Sequence, residues 1–506
     1  MLARVTTFAI DGVEPRRIVV EVDIRPGLPA FTIVGLADAA VRESRERVRA
    51  AIQNSGYDFP QRRITANLAP ASLRKVGPGF DAALALAVLA SSGQFDPARL
   101  GDVAVYGELS LGGELRPAAG TLAVAEGARR HRIPALVVPA AQAPEASLID
   151  GIRVLGVGGL SGAVDAVTGR ALPPAPGPAI LRRASVSEPD LAEIRGQALA
   201  LHAMEVAAAG GHNLLFSGPP GTGKTMLARR LPSILPPLGR DEAIEVTRVH
   251  SVAGLHTVGL ISTRPFRAPH HTISAAGLVG GGSPPRPGEA SLAHRGVLFL
   301  DELSEFQRPA IEALRQPLED GRVTIVRGQR ALVFPTRFML VAATNPCPCG
   351  FAGVDDRCTC TEPDIRRHER RLSGPLLDRM DVLIDVARPS EAELRAAPLT
   401  DSATVRDRVQ LARERQLHRL RGTRAGCNAE LDAGLLQALV RLDEAAHATL
   451  GEAYRNGALS ARGRHRVLRV ARTIADLAGR EVVSRADLLE ALTLRQRIGT
   501  AQAVTA

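Results

Sequence analysis

The sequence has no tryptophan, and only 15 of its 506 residues, 12 Phe and 3 Tyr, are aromatic. Recognition that stacks nucleic-acid bases on rows of aromatic rings is therefore not expected. Five cysteines are too few for a disulfide scaffold in so long a chain, which favours the reducing cytoplasm. No apolar run reaches the roughly 18 residues of a membrane-spanning helix. The first residues also lack the apolar block of a secretory signal, so neither membrane insertion nor export is expected.

Lysine is nearly absent as well. Of the 63 basic side chains, only Lys75 and Lys224 are lysines, and the other 61 are arginines. Each lysine therefore needs an explanation of its own. The excess over 53 acidic side chains gives a formal charge of +10, which suits a polyanionic partner but does not identify one.

Length and hydrophobic content indicate several domains. A chain of 506 residues that is 45% hydrophobic predicts roughly two to four of them. Four prolines between positions 173 and 178 mark 171–187 as a linker. Strand and helix patterns alternate in 1–170, which predicts an α/β or α+β domain, and in 188–400, which predicts an α/β domain with a parallel sheet in three layers. The helical patterns of 401–506 predict a small helical domain.

A glycine-rich segment, GPPGTGKT, lies between a strand-like run, LLFS, and a helical one, MLARRL. In this order a loop curls around phosphate, with backbone N–H groups and the positive end of the helix directed at the anion. We expect Lys224 to reach the β and γ phosphates of a nucleotide and Thr225 to offer its hydroxyl to Mg²⁺. An idle glycine-rich turn is the weaker interpretation. The predicted loop residues are Gly218, Pro219, Pro220, Gly221, Thr222, Gly223, Lys224 and Thr225.

Polar side chains end two further apolar runs. GVLFL is followed by Asp301 and Glu302, and FMLVAAT by Asn345. Because the carboxyl ends of parallel strands share one edge of a sheet, Asp301 is expected to hold Mg²⁺ through water and Glu302 to activate the attacking water as a general base. The Asn345 amide is expected to bond the γ-phosphate or that water. The alternatives are a strand end that is merely solvated and a turn asparagine before Pro346.

Six motifs in order resemble those of the ComM/YifB family of magnesium-chelatase-like AAA+ ATPases: GPPGTGKT, PFRAPHHTIS, GVLFLDE, ATNPCPCG, SGPLLDRMD and SARGRHRVLRVARTIADL. The resemblance covers nearly the whole chain. It implies an AAA+ P-loop domain with a helical lid, and a ring, expected to be a hexamer, that hydrolyses ATP between neighbours. It also implies that Arg379 is the arginine finger and Arg462 the sensor arginine of the lid, with Arg466 as the alternative. A guanidinium suits both roles because it donates several hydrogen bonds to the transferred phosphoryl group.

Two insertions fit the same resemblance. The stretch between Lys224 and Asp301 is longer than one helix and one strand need, and its part AAGLVGGGSPPRPGEA predicts a flexible inserted loop. RVTIVRGQRALVFP predicts a hairpin that turns between Arg327 and Arg330. In chelatase- and MCM-type motors such inserts project toward the pore. The two arginines are therefore candidates to grip DNA phosphates, with an ordinary solvated hairpin as the alternative.

Four of the five cysteines lie within 14 residues in the pattern C-x-C-x8-C-x-C: Cys347, Cys349, Cys358 and Cys360. Four thiolates at such spacing are typical of a tetrahedral structural zinc site. Disulfides are disfavoured by the reducing compartment, and reduced thiols without a metal are the main alternative. Because the cluster begins two residues after Asn345, a metal there would fix the end of that strand. Cys427 has no assigned role.

Two N-terminal segments resemble the proteolytic domain of Lon: RKVGPGFDAALALAVLASSG and VYGELSLGGELRPAAGTLAVAEGAR. The resemblance implies a Lon-like α+β domain. It aligns Gly79 with the nucleophilic serine and Leu122 with the activating lysine, and neither side chain can act as nucleophile or base. We therefore expect the fold without peptide hydrolysis. Lys75, just before the lost nucleophile, is expected to bind an anion or to cap a turn.

Two other polar segments are ambiguous. The stretch VRDRVQLARERQLHRLRGTRAG has seven arginines against two acidic residues, and a solvated helix face is as consistent with it as a DNA contact. His270 and His271 in RAPHHT are either phosphate contacts or part of a packed loop, and we favour packing.

The sequence therefore predicts a cytoplasmic AAA+ ring ATPase that uses ATP and Mg²⁺ to move on DNA. The family resemblance adds a helicase that drives branch migration on single-stranded or branched DNA during natural transformation and recombination. The alternative is a chelatase-type or protein-remodelling ATPase that docks a partner protein on the Lon-like domain. The missing serine and lysine argue against an ATP-dependent protease.

Overall fold

The computed structural model describes residues 2–36, 38–175, 177, 189–255, 259–282, 285–327, 330–353, 357–371, 374–457 and 459–495. The predicted linker falls largely outside these ranges. Within them the chain is mixed α/β, with two large sheets and many helices. None of the described helices combines the length and the apolar character that crossing a membrane requires.

The N-terminal region builds a mixed sheet. Its strands are β1 (Leu2–Asp11), β2 (Glu14–Arg25), β3 (Ala30–Val34), β4 (Arg63–Ala69), β5 (Val103–Val105), β6 (Glu108–Leu109), β7 (Leu115–Arg116), β8 (Ala135–Pro139) and β9 (Arg153–Val157). In the described part of the chain, seven of these pair in the order β3-β4-β2-β1-β5-β8-β9. β2 is antiparallel to both of its neighbours, whereas β1, β5, β8 and β9 are mutually parallel.

Helices cover both faces of this sheet. They are α1 (Ala39–Asn54), α2 (Asp81–Ser91), α3 (Thr121–Arg130), α4 (Ala143–Ala146) and α5 (Leu160–Thr168). Every residue of α2 is buried, as expected for a helix whose small and apolar side chains occupy all of its faces. α1, α2 and α5 contribute to one core. α3 and α4 contribute to a second core.

The central region builds a parallel sheet. Its strands are β10 (Leu214–Ser217), β11 (Phe266–Arg267), β12 (Gly280–Gly281), β13 (Arg286–Pro287), β14 (Val297–Leu300), β15 (Arg322–Arg327), β16 (Arg330–Pro335), β17 (Met339–Thr344) and β18 (Val382–Asp385). Among the described residues, five of these pair side by side, all parallel, in the order β11-β14-β17-β10-β18. Leu214 and Phe216 enter one core and Leu215 the other. The sheet is therefore the middle layer of three, as the sequence predicts.

Helices of the central region form the outer layers. They are α6 (Ala198–Gly210), α7 (Lys224–Ile234), α8 (Arg240–Val252), α9 (Ala275–Val279), α10 (Glu289–Leu292), α11 (Arg308–Ala313), α12 (Arg315–Asp320), α13 (Glu362–Arg371), α14 (Gly374–Leu377) and α15 (Glu391–Arg395). The segment expected to be a flexible loop, AAGLVGGGSPPRPGEA, instead contains α9, the antiparallel pair β12 and β13, and the start of α10. Capping of α9 by Ser274, which accepts a hydrogen bond from the Gly277 N–H, supports the helix that the glycines disfavour.

The C-terminal region is mostly helical. It comprises α16 (Ser402–Arg419), α17 (Ala433–Leu439), β19 (Arg441–Leu442), α18 (Glu444–Arg455), α19 (Ala461–Leu477), β20 (Val482–Val483) and α20 (Arg485–Thr493). The expectation of helix alone is wrong at β19 and β20, which pair in parallel. Asp443 separates β19 from α18. Its carboxylate caps α18 by accepting a hydrogen bond from the Ala446 N–H, and its own N–H donates to the Val483 carbonyl oxygen in β20.

The N-terminal region packs directly on the central region. Val13, in the turn between β1 and β2, shares a small apolar core with Val323 and Phe334 of the β15–β16 hairpin. Arg248 on α8 forms an ion pair with Glu126 on α3 at 2.8 Å. The base of the hairpin is therefore supported by the N-terminal region.

Candidate functional site

The phosphate-loop motif lies between β10 and α7, as the sequence predicts. At Gly218 a Cβ would stand 2.3 Å from the carbonyl oxygen of Val386, so only glycine allows the loop to pass so close to the strand next to it. The Lys224 Nζ donates to the carbonyl oxygens of Gly218 at 2.6 Å and Pro219 at 2.8 Å. The ammonium group is therefore held within the loop, at the start of α7.

Asn345 joins Lys224 at the same edge of the sheet. Its Oδ1 lies 3.2 Å from the Lys224 Nζ. Burial lowers the pKa of Lys224, although the charges of Asp301 and Glu302 favour its ammonium form. These four predicted residues thus meet beyond the carboxyl ends of β10, β14 and β17, where their charges act on one another.

The acidic pair follows β14 directly. The Thr225 hydroxyl donates to the Asp301 Oδ2 at 2.7 Å, which brings together two oxygen donors of the kind that Mg²⁺ prefers. Glu302 has a left-handed backbone (φ 51°), uncommon outside glycine and asparagine, and its N–H donates to the Asp301 Oδ1 at 3.0 Å. His271 Nδ1 lies 3.5 Å from the Glu302 Oε2.

The two histidines do more than pack. The rings of His270 and His271 lie 4.1 Å apart, and His271 also contacts Phe306 edge-on. This agrees with the favoured packing role, but the contact of His271 with Glu302 was not expected. PFRAPHHTIS offers no local signal for it, since the two residues come together only because β11 pairs beside β14.

The four clustered cysteines surround one point just beyond Asn345. The Sγ atoms of Cys347 and Cys349 are 3.3 Å apart, that of Cys358 is 3.9 Å and 3.7 Å from them, and all four lie within 4.8 Å of one another. All are free thiols, as expected at distances far above the roughly 2 Å of a disulfide. Cys427 is buried elsewhere, against Gly211.

Arg379 and Arg462 both line a cavity of about 650 Å³ at the edge where the parallel strands begin, whereas Lys224 lies beyond the edge where β10 ends. Asn213, just before β10, donates its side-chain N–H to the Arg379 carbonyl oxygen at 3.0 Å, and the Arg379 guanidinium pairs with Glu319. Arg466 lines the same cavity and is held 3.1 Å from the buried Asp381. The two arginine candidates thus share one site, on the edge opposite the phosphate loop.

The two groups of arginines considered for DNA contact differ in what the structure shows of them. Arg327 and Arg330 are directly opposite each other in the β15–β16 register, as predicted, and the intervening residues lie outside the described ranges. In the basic stretch, the five of the seven arginines that lie on α16 donate to acceptors of the same chain. Arg406 contacts Ser233, Arg408 contacts Glu205, Arg413 contacts Ala208, and Arg415 and Arg419 both contact Asp476.

The aligned protease positions are both enclosed. A Cβ at Gly79 would stand 2.5 Å from the Tyr106 ring, so a serine does not fit there without displacing that ring. Leu122 is fully buried. Lys75 is fully buried too, and its Nζ donates to the Pro70 carbonyl oxygen, which agrees with the turn-capping alternative.

Three protein-family models match the chain, and all describe magnesium chelatase. "Magnesium chelatase, subunit ChlI" matches residues 190–394, "Subunit ChlI of Mg-chelatase" residues 20–142, and "Magnesium chelatase, subunit ChlI C-terminal" residues 400–495. The match over 190–394 begins just after the predicted linker and ends shortly before the C-terminal helices, where the third match begins.

Two relatives are similar to this chain over nearly their full length. Uncharacterized protein YifB of Escherichia coli is 42% identical, over 98% of this chain and 97% of its own. Competence protein ComM of Haemophilus influenzae is 41% identical, over 98% of each chain. A shorter match, 32% identical over 29% of this chain and 34% of the relative, is the Holliday junction branch migration complex subunit RuvB of Paenarthrobacter aurescens. The chain therefore belongs to the ComM/YifB family of magnesium-chelatase-like AAA+ proteins.

Proposed function

We propose that the protein is an ATPase that assembles as a ring and moves on DNA. Membership of a magnesium-chelatase-like AAA+ family implies ATPase activity. The observation that carries the proposal is the meeting of Lys224, Thr225, Asp301, Glu302 and Asn345 at one edge of a parallel sheet. A loop, a cation, two carboxylates and an amide at that edge form the set that phosphoryl transfer to water needs.

The residues suit both the nucleotide and Mg²⁺. The Thr225 hydroxyl and Asp301 would hold the ion, which when bound neutralises phosphate charge. Lys224 and the loop N–H groups would bind the β and γ phosphates. Glu302 would take a proton from the water that attacks the γ-phosphorus. The bond between the γ-phosphorus and the bridging oxygen breaks, and ADP leaves with that oxygen. Asn345 would orient that water or the γ-phosphate.

The arginines would act on a neighbouring copy. Arg379 and Arg462 lie at the edge opposite the chain's own phosphate loop, so they support a head-to-tail contact in which one subunit's arginine edge meets the next subunit's nucleotide. Such contacts close into a ring, which we expect to be a hexamer. Arg379 would be the finger, since the Glu319 that pairs with it is largely exposed. Arg462 would be the sensor arginine in preference to Arg466, which the buried Asp381 holds.

We favour DNA as the polymer on which the ATPase moves. The partial similarity to a branch-migration subunit and the near full-length similarity to a competence protein support branch migration on single-stranded or branched DNA during transformation and recombination. Arg327 and Arg330, side by side at the end of a hairpin, would contact the phosphates. The arginines of α16 give this proposal no support, because they are bound within the chain.

The domain roles are proposals of the same kind. We assign 1–170 to a Lon-like domain without protease chemistry, 188–400 to the nucleotide domain and 401–506 to the lid, in a protein of the cytoplasm. The four clustered cysteines would hold a structural zinc ion. Zn–S bonds of about 2.3 Å in a tetrahedron put sulfurs about 3.8 Å apart, close to the 3.7 Å and 3.9 Å separations of Cys358 from Cys349 and Cys347.

ATP hydrolysis measured with and without DNA tests the proposal. We expect single-stranded or branched DNA to stimulate phosphate release, and DNA binding to weaken steeply with added salt. Arg327→Ala combined with Arg330→Ala is expected to abolish the stimulation while basal hydrolysis persists. Arg308→Ala, which changes an exposed arginine on α11, is the control. A hydrolysis rate that no DNA changes at low salt would instead favour a chelatase-type or protein-remodelling ATPase.

A further inference from the structure

We propose that the loop that carries Cys347, Cys349, Cys358 and Cys360 (the cysteine loop), with zinc bound, acts as a clamp on the phosphate loop, so that tight nucleotide binding requires the metal. The inference rests on the proposed roles of the phosphate loop and of the four cysteines. It goes beyond both, since it makes occupancy of a structural metal site a condition for function at a different site.

The cysteine loop touches the phosphate loop directly. Gly350, the residue after Cys349, has φ +88°, and a Cβ there would stand only 2.6 Å from the Pro220 Cδ. No side chain fits between the Gly350 backbone and the Pro220 ring without displacing one of them. Pro220 is the third residue of GPPGTGKT. The position of the cysteine loop therefore limits the path of the phosphate loop.

A second connection runs through Asn345. Its side chain contacts the Lys224 Nζ at 3.2 Å, and its carbonyl oxygen lies 3.0 Å from the Nε2 of His368, a buried residue of α13. Cys347 lies two residues later and is fully buried. α13 begins two residues after Cys360. The cluster thus joins the strand end that carries Asn345 to the helix that carries His368.

Sulfur atoms organise the loop itself. The Ala352 N–H donates to the Cys347 Sγ at 3.2 Å and the Cys349 N–H to the Cys360 Sγ at 3.4 Å. Hydrogen bonds that a neutral thiol sulfur accepts are weak, and four thiolates packed this closely repel one another unless a cation binds them. A metal bound by all four sulfurs removes this repulsion and cross-links the cysteines, which holds the loop against Pro220.

The test measures zinc and nucleotide binding on the same full-length protein. Zinc per chain is determined by plasma mass spectrometry, and affinity by titration with a fluorescent ATP analogue. We expect about one zinc per chain in the unaltered protein. Cys358→Ser is expected to lose the zinc and to weaken nucleotide binding by roughly tenfold or more, as for loss of a hydrogen bond to a charged group. Cys427→Ser, the matched control outside the cluster, should change neither.

A second variant separates the clamp from the metal. Gly350→Ala keeps all four thiols but adds a methyl group against Pro220, so zinc should stay while affinity falls roughly threefold to tenfold. If Cys358→Ser does not fold, zinc is removed from the folded unaltered protein with a thiol-modifying reagent and a chelator. Zinc-free protein with unchanged affinity, or unaltered protein that binds nucleotide without zinc, overturns the clamp. Unaltered zinc protein that binds no nucleotide overturns the proposed function instead.

Discussion

Mixing two inactive variants is expected to restore ATP hydrolysis. Lys224→Ala removes the cation of the phosphate loop, and Arg379→Ala removes the guanidinium at the opposite edge of the sheet. Between the two edges lies β10, whose four residues span about 13 Å. An arginine anchored before that strand cannot reach a phosphate bound beyond it, so the two defects belong to different nucleotide sites of an assembly.

The size of the recovery follows from this geometry. Alone, Arg379→Ala should lose a factor of about 10³–10⁵ in turnover, as for other arginine fingers. In an equal mixture, a seam is intact when an Arg379→Ala subunit supplies the phosphate loop and a Lys224→Ala subunit supplies the arginine. Random assembly gives this pairing at about one quarter of the seams. Activity near that fraction of the unaltered protein is expected if the sites turn over independently.

Phosphate release over a series of mixing ratios is the assay. The predicted curve rises from almost zero at either end to a maximum at the equal mixture. The same series with Arg308→Ala in place of Arg379→Ala is the control, and it should fall steadily as Lys224→Ala is added. A mixture no more active than its components would refute the assignment of Arg379 to a neighbour's site, provided that size measurements show mixed assemblies.

Three further predictions concern single residues. Glu302→Gln is expected to bind ATP but to lower turnover by a factor of about 10²–10⁴, and single-turnover hydrolysis at the original rate would show that the base is another group. Gly79→Ser should gain no peptidase activity on casein and should lower the melting temperature, because its Cβ would lie 2.5 Å from the Tyr106 ring and overpacking costs about 1–3 kcal/mol; a proteolytic variant would contradict this. The hydrogen bond with His294 outweighs burial and lowers the pKa of Glu245 from 4.5 to about 2. Since the folded pKa is the lower one, the carboxylate stabilises the protein fully above about pH 4.5, and its contribution disappears as the pH falls toward about 2. The difference in denaturation midpoint between the protein and Glu245→Gln should therefore shrink between about pH 5 and about pH 3, and a constant difference would count against it.

Local patterns were sufficient for the phosphate loop and the parallel sheet. β10, the glycine loop and α7 are adjacent in sequence, so one motif contains the whole arrangement around Lys224. Asp301 and Asn345 could be added because parallel strands end at a common edge. The nearly complete burial of the strands also made them recognisable as apolar runs.

Long-range pairing could not be predicted in this way. Arg379 and Arg462 share a cavity, although 82 positions separate them, because β18 and α19 both approach the starting edge of the sheet. On α16 the run of positive charge was equally consistent with a DNA contact and with a solvated helix face. The partner of Arg408, however, is Glu205 on α6, which no pattern within α16 reveals. Charge runs in a sequence do not identify their counter-ions.

The decisive measurement is release of inorganic phosphate from ATP by the purified protein. We expect Mg²⁺-dependent release by the assembled protein, with or without DNA present, and none above background from Lys224→Ala under the same conditions. An assembled protein that releases no phosphate with any DNA, or a Lys224→Ala variant as active as the original, would show that the phosphate loop does not support ATP hydrolysis.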